Sequence, residues 1–369
     1  MTSARFCALL VFLFCVQIAG AYGPIGHQIV GAIADQKLAG TETGKKVTAL
    51  LDGMTLEKVS VIADEIKGWD KLGPDDPGIF HYSAHPRIDA QLRDFWHANP
   101  PTRDQKSAIP AHHWFHYTDV PVLEPEKYGD GKAGRSQWDI VQMTRFCVGV
   151  LKGTEPEDNP RKITKTIAVI LLAHFLGDIH QPLHVGAEYF DSAGHAVNPG
   201  KDSSALEDEG GNTLVLNLAE GSNPQPVKRP PKFHGFWDND TVMANLPILP
   251  ETIPKEERRE KTDTAKAALV KELATSEPKD WRLPAATAPK DYSEAWANEI
   301  LPIAREAHER LTFRNVAPLQ EEDRVVAAGF ADEKKPAKGS SYYDWSAHIA
   351  RDQLQKAGWR LADLLEKSL

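Results

Sequence analysis

The segment Ala-Val-Ile-Leu-Leu-Ala-His174-Phe-Leu-Gly-Asp178 sets the hardest constraint on what this chain can fold into. Its apolar residues demand burial on all sides, yet it carries a histidine and an aspartate four residues apart. In a helix that spacing stacks both side chains on one face, roughly 5–6 Å apart at Cβ. Burying such groups without partners is costly, so the fold has to bring polar partners to both. His184 follows six residues after Asp178, and His234-Gly-Phe-Trp-Asp238 repeats the His–Asp spacing. Neutral imidazoles and carboxylates facing one cavity suit Zn²⁺.

Nine groups make up the expected ligand set: the Tyr22 backbone, His27, Asp64, His116, His174, Asp178, His184, His234 and Asp238. At three to four protein ligands per ion, and with Asp178 able to bridge through its two oxygens, the set suits three Zn²⁺. His180 lies between two ligands and is expected to orient them or serve the structure. His112 and His113 precede His116 without sharing its motif. His81, His85, His97, His195, His308 and His348 have no partner at useful spacing and read as surface or structural residues.

Residues 1–21 form a second informative segment. Arg5 precedes an apolar run from about Phe6 to Ile18, and Ala19-Gly20-Ala21 completes an A-x-A cleavage pattern. This reads as an export leader, the run being short for a membrane anchor. Cleavage after Ala21 would expose the Tyr22 amine, which with its own carbonyl can chelate a metal. The expected destination is the periplasm or the medium. Cys7 and Cys15 lie in the leader, leaving Cys147 alone, so no intramolecular disulfide is available downstream. Stability then rests on the core and the metals.

The full chain carries a formal charge of −9, and loss of Arg5 makes it −10. Three Zn²⁺ would bring that to about −4, which is not the balance of a protein that coats nucleic acid. A phosphodiester would have to be held by local charge at the metals.

Helical patterns are expected over Ile25–Leu38, Ile140–Leu151, Ile163–Leu176, Ile300–Leu311 and His348–Leu365, with an exposed helix at Glu256–Leu273. Asn212–Asn217 is the one good strand candidate, read as half of a small hairpin. The stretches 74–110, 188–211, 223–231, 250–289 and 320–341 read as surface excursions from one mainly α-helical domain spanning residues 22–369, because metal-type residues lie on both sides of the earlier ones.

Taken in order, these residues resemble the S1/P1 family of zinc-dependent nucleases. Tyr22-Gly-Pro-Ile-Gly-His27 is similar to the family's W-G-x-x-G-H start. Ile62-Ala-Asp64-Glu-Ile-Lys67 is similar to W-A-D-x-[IV]-[RK], and Trp114-Phe-His116-Tyr117-Thr-Asp119 to W-H-[YF]-x-[DN]. His174-Phe-Leu-Gly-Asp178-Ile-His-Gln-Pro-Leu-His184 is nearly complete, and Glu209-Gly-Gly-Asn212 and Phe233-His234-Gly-Phe-Trp-Asp238 follow. The tail from Gln353 to Leu365 looks like the family's last helix. Two departures stand out: Tyr22 where the family has Trp, and Ile62 where it has Trp.

The resemblance implies a mainly α fold, a single helical domain of the phospholipase C/P1 nuclease type with a trinuclear zinc cleft. It implies one zinc on Asp64, His116, His174 and Asp178, a second on His184, His234 and Asp238, and a third on Tyr22, His27 and Asp178. It implies hydrolysis of single-stranded DNA and RNA to 5′-phosphorylated nucleotides, with 3′-nucleotidase activity, by a monomer free of the membrane after cleavage. Asp64 would orient the attacking water and Lys67 would neutralise phosphate charge. Tyr117 would stack a base. Asp119 would accept from a base edge or hold a histidine. Asn212 would contact phosphate or simply form a turn. A zinc phospholipase C-like enzyme and a non-catalytic exported zinc-binding protein are the competing readings.

Overall fold

The computed structural model describes residues 22–100, 111–219, 229–321, 324–334 and 339–369. The leader proposed for residues 1–21 lies outside the described residues. The principal helices are α1 (Pro24–Leu38), α2 (Glu42–Leu50), α3 (Pro86–Ala98), α4 (Ile140–Lys152), α5 (Lys165–Asp178), α6 (Lys255–Thr275), α7 (Tyr292–Glu309) and α8 (Tyr342–Ser368). A small sheet comprises β1 (Leu214–Asn217), β2 (Leu311–Glu321) and β3 (Arg324–Glu333).

α5 is the axis of the molecule. The Thr164 hydroxyl accepts from the Ile167 amide and starts it, and every residue from Thr166 to Asp178 is buried. A helix apolar all round has no solvent face and has to be packed on every side. Here α1, α2, α3, α4, α8 and the turn Leu56–Val59 surround it. α4 is capped by Asp139, whose carboxylate accepts from two backbone amides, and stops at Gly153 in the left-handed region, φ 72°. α1 and α8 pack closely at Gly358, where a Cβ would come within 2.5 Å of Ile33 Cβ. α6 is mostly solvated, with Leu269, Val270, Leu273 and Ala274 buried beneath it.

β1 and β2 flank β3, β1 parallel to it and β2 antiparallel, with Leu214 opposite Gly329 and Leu311 opposite Glu333. The expected strand is therefore present, but as an edge of a mixed sheet rather than half of a hairpin. The hairpin is β2–β3, in and before a stretch read as a surface excursion. Its charged tip masks the alternation that buries Val326 and Ala331 while Val325 and Phe330 face solvent. α3 likewise interrupts the 74–110 excursion. Pro86 opens it, and Ile88, Leu92, Phe95 and Trp96 form its buried face. α7 and α8 also begin earlier than expected. No described helix is long and apolar enough to cross a membrane.

The apolar interior has two parts. The larger collects the helices around α5. The smaller joins the sheet to Leu183, Phe233, Phe236, Trp237 and the first turn of α8. The candidate site lies where α5 runs out of the first and the His184 and His234 turns leave the second.

Candidate metal centre

His174 and Asp178 end α5 on one face, with His174 Nε2 3.2 Å from Asp178 Oδ2. His116 closes the short turn His112–His116. Its Nδ1 lies 3.0 Å from His174 Nε2 and 3.1 Å from Asp178 Oδ2. Asp64, from the turn Ile62–Glu65, places Oδ1 3.7 Å from His174 Nε2 and 3.9 Å from His116 Nδ1. His27 comes from α1 and stacks on His174, ring centroids 3.8 Å apart. Its Nε2 sits 3.3 Å from the other Asp178 oxygen, Oδ1. Asp178 thus faces different partners with its two oxygens, the disposition a bridging carboxylate needs.

The second group is built from turns. His184 ends the turn Pro182–His184, while His234 and Asp238 come from the helical stretch Phe233–Asp240. His184 Nε2 and His234 Nε2 are 3.0 Å apart. Asp238 places Oδ2 3.5 Å from His234 Nε2 and Oδ1 3.9 Å from His184 Nε2. The structure therefore gathers all eight side chains of the expected set. Tyr22 is buried, its hydroxyl donating to the His180 carbonyl at 3.1 Å, and the Gly23 amide donates to the Asp238 carbonyl at 2.7 Å. The start of α1 is thereby tied to the second group.

The backbone decides what the rings can bind. His174 Nδ1 donates to the Ser60 carbonyl at 2.7 Å, His184 Nδ1 to that of His116 at 2.8 Å, and His234 Nδ1 to that of Gly210 at 2.8 Å. A carbonyl only accepts, so each Nδ1 carries a proton and each neutral ring turns an Nε2 lone pair inward. The 3.0 Å contact between His184 and His234 then joins two acceptors. That arrangement calls for a cation between them, a proton or a metal ion. A proton is disfavoured, since burial and the neighbouring His184 push His234 down to about 3. The spacing is close to the ~3.3 Å edge that two nitrogens make at ~2.0 Å from one tetrahedral zinc. Both nitrogens of His27 and Asp178 Oδ1 are also buried without a hydrogen-bond partner. Such orphans are rare in folded chains; a cation bound at Nε2 would satisfy that nitrogen and Asp178 Oδ1, whereas Nδ1 lies against Gly177.

The charges fit the same reading. Burial lowers His27, His116 and His184, leaving them neutral and ready to ligate. Burial alone would raise Asp64 and Asp178, but Lys67 and then His174 hold Asp64 well below the carboxylate range. His174, itself raised by Asp178 and Asp64 against the pull of burial, does the same for Asp178, so without a metal this ring shares a proton with the carboxylates. Asp238, with fewer compensating charges, is raised by burial and by Asp178 and Asp64. Gln181 partly offsets this by donating to Asp238 Oδ1 at 2.8 Å.

Lys67 is not a solvated surface lysine. It is 7 % exposed, and its Nζ is 2.7 Å from Asp64 Oδ1. Tyr117 is half-buried beside Trp114, ring centroids 6.1 Å apart. The Arg324 guanidinium lies 5.9 Å from the Trp114 ring and pairs with Glu207 at 3.2 Å and with Glu209. Asp119 is buried, and burial together with Glu207 and Asp208 raises its carboxyl well above the usual range. Its carboxylate makes no hydrogen bond to a histidine of the centre among the described residues. The Asn212 side chain donates to the Glu209 carbonyl at 3.0 Å, inside its own turn. In that turn Glu209, Gly210 and Gly211 all adopt positive φ. His180 is structural, donating from Nδ1 to the Leu176 carbonyl and accepting from Arg360 at Nε2.

Sequence reasoning missed Ser60, Gln181 and the Gly210 carbonyl as groups that orient the candidate donors. Gln181 alone carried a side-chain signal, its place inside the His–Asp–His motif. Arg324 carried none, because it arrives from the sheet.

A family model described as S1/P1 nuclease matches residues 22–369. The chain belongs to the S1/P1 nuclease family. Among curated relatives it is similar to Endonuclease 4 of Arabidopsis thaliana, 27 % identical over 147 residues, covering 37 % of this chain and 40 % of that one. It is similar also to Endonuclease 1 of the same plant, 32 % identical over 163 residues, covering 39 % and 45 %. The matched regions thus span less than half the length of these relatives. The S1/P1 membership agrees with the mainly helical fold and with the His/Asp clusters at its centre.

Proposed function

We propose that this S1/P1 family member is a three-zinc phosphodiesterase that hydrolyses single-stranded DNA and RNA to 5′-phosphorylated nucleotides, and that it also removes phosphate from 3′-nucleotides. The facing Nε2 lone pairs of His184 and His234 carry the metal part of this reading. Asp64, His116, His174 and Asp178 would hold one ion, and His184, His234 and Asp238 a second. His27, Asp178 and the backbone of Tyr22 would hold the third, with the Tyr22 amine freed by cleavage after Ala21 and export to the periplasm or medium. When bound, the ions supply an acidified water and positive charge against the phosphodiester.

The chain's own residues do the rest. Asp64 is held ionised by Lys67 and His174, so its carboxylate can accept a hydrogen bond from the attacking water and aim it at phosphorus. Lys67 brings an ammonium to the edge of the same carboxylate and would offset charge that builds on the phosphoryl oxygens. The half-buried faces of Trp114 and Tyr117 offer stacking for an unpaired base, which a duplex cannot supply. Asp119 would meet the edge of that base, and Asn212 would stiffen the turn that fixes His234.

The test measures zinc per chain on protein processed before Tyr22, together with digestion of single-stranded DNA, RNA and 3′-nucleotides before and after chelation. At least three zincs, and 5′-phosphate products that vanish on chelation and return with Zn²⁺, are expected. Zinc without nucleic-acid hydrolysis would sink the nuclease reading; turnover of phosphatidylcholine in a parallel assay would replace it with a phospholipase C-like phosphodiesterase, and no turnover with a zinc-binding protein.

A further inference from the structure

Outside the centre, a second cluster of metal-type donors has no assigned role. Asp70, His112 and His113 place one donor atom each within 4.8 Å of one another. His113 Nε2 is 2.5 Å from Asp70 Oδ2, and His112 Nε2 is 3.7 Å from Asp70 Oδ1. The two rings lie 4.7 Å apart. Trp96 Nε1 donates to Asp70 Oδ1 at 2.9 Å and fixes the carboxylate.

His112 is the decisive member. It is 2 % exposed, and its Nε2 is buried without a hydrogen-bond partner while pointing towards the Asp70 carboxylate. At 3.7 Å it is too far for a hydrogen bond. A buried orphan nitrogen is unfavourable unless something ligates it. His113 is half-buried, which leaves the cluster reachable from solvent.

We propose that Asp70, His112 and His113 form a separate divalent-metal site of the N,N,O type that Zn²⁺ takes, distinct from the three-ion centre. Its place in the fold gives it work. Asp70 lies in the turn Ile66–Lys71, which continues directly from the turn carrying Asp64. His112 and His113 open the same turn that His116 closes. An ion held here fastens those two turns to each other at a second point. It also clips the ends of the long excursion that leaves at Lys71 and returns at Ala111, and closing a long loop is where a metal clip stabilises most. The positioning role rests on Asp64 and His116 being ligands of the main centre. The site itself does not.

The full chain is saturated with Zn²⁺ alone, freed of unbound ion by gel filtration, and its zinc counted by mass spectrometry. Five proteins are compared: the natural chain, His113→Ala, Asp70→Asn, Asp178→Asn and the double variant His113→Ala with Asp178→Asn. Asp70→Asn keeps an oxygen for Trp96, and His113 is exposed enough to lose its ring, so circular dichroism should show both folded. Each is expected to hold one zinc fewer than the natural chain, and His113→Ala combined with Asp178→Asn one fewer than Asp178→Asn alone. Unchanged counts in the two single variants would overturn the proposal. Full zinc in Asp178→Asn would instead count against the main centre. A readout without variants is diethyl pyrocarbonate labelling of His113 mapped by mass spectrometry. Zn²⁺ is expected to suppress it, and equal labelling with and without Zn²⁺ would count against the site.

Discussion

His174 and Asp178 reach the centre from a helix buried at every residue from Thr166 onward, whereas His184, His234 and Asp238 reach it from short turns with no long apolar run of their own. The helix half is held by packing, which is non-directional and tolerant of which apolar residue supplies it. The turn half rests on the smaller apolar cluster through Leu183, Phe233, Phe236 and Trp237, and depends besides on individual polar contacts: the Gly210 carbonyl on His234, Gln181 on Asp238, and Tyr342 accepting from Trp237 at 3.1 Å. Beneath that half, Asp208 pairs with His308 at 3.3 Å, and Glu188 is buried beside them. The same kind of side chain is therefore presented with different shares of packing and polar support, since the helix half has the Ser60 carbonyl on His174 but far more apolar burial, and the two should fail differently.

Asp178 serves two sets of partners at once, because Oδ1 faces His27 and Oδ2 faces His116 and His174. Asp178→Asn replaces one of those oxygens with an amide that cannot ligate. Loss of more than one zinc is expected, with activity down by more than the ~10–100-fold typical of groups that only orient ligands. Zinc content and kcat/KM on single-stranded DNA measure it. Near-normal activity would remove Asp178 from the scheme.

Gly210→Ala should break the turn half alone. Gly210 has φ 57°, and a Cβ there would lie 2.2 Å from the Leu183 carbonyl oxygen. The chain has to shift, and the carbonyl that orients His234 shifts with it. A loss of about 10–100-fold in affinity for one zinc is expected, with the others retained. Chelator competition would resolve the classes of ion. Equal weakening of every class would mean that the two halves are not independent.

The same contrast explains what the sequence disclosed. The eight side chains that gather at the candidate centre were legible because His and Asp in apolar or motif contexts are conspicuous, and α5 was legible because its apolar run has no other home. The groups that orient the ligands were not, because Ser60, His116 and Gly210 contribute backbone carbonyls that any residue type possesses. Lys67 was legible by its spacing from Asp64, but its burial depends on surrounding structure. The β2–β3 hairpin was missed because its charged tip outweighs its alternation, and with it went Arg324. The helix Pro86–Ala98 was missed because proline, histidine and aspartate around it obscure the apolar face of Ile88, Leu92, Phe95 and Trp96.

Leu172→Ala probes the helix half without touching a ligand. Leu172 is fully buried in α5, and truncation leaves a cavity that should cost about 2–5 kcal/mol. Urea denaturation measures the loss. Zinc count and kcat/KM of the folded fraction should stay at the natural values. A drop in zinc count would show that packing also sets ligand geometry, and the contrast between the halves would soften.

Glu188→Gln gives the smallest effect and tests the turn half through pH. Burial, with Asp208 adding and His308 opposing, pushes the Glu188 carboxyl up to about 7 from an ordinary 4.5. Between those values the folded chain keeps a proton that the unfolded chain releases. Its contribution to stability is thus fully present below pH 4.5 and lost as pH rises through 7. Glutamine stays neutral throughout and removes that dependence. The variant should match the natural chain near pH 4.5 and exceed it at pH 8 by about 1–3 kcal/mol, read from denaturation in saturating Zn²⁺. Leu172→Ala should displace the whole stability curve without changing its slope in this window. If Glu188→Gln did the same, the ionisable groups under the turn half would be supporting it as packing does, by shape and not by charge.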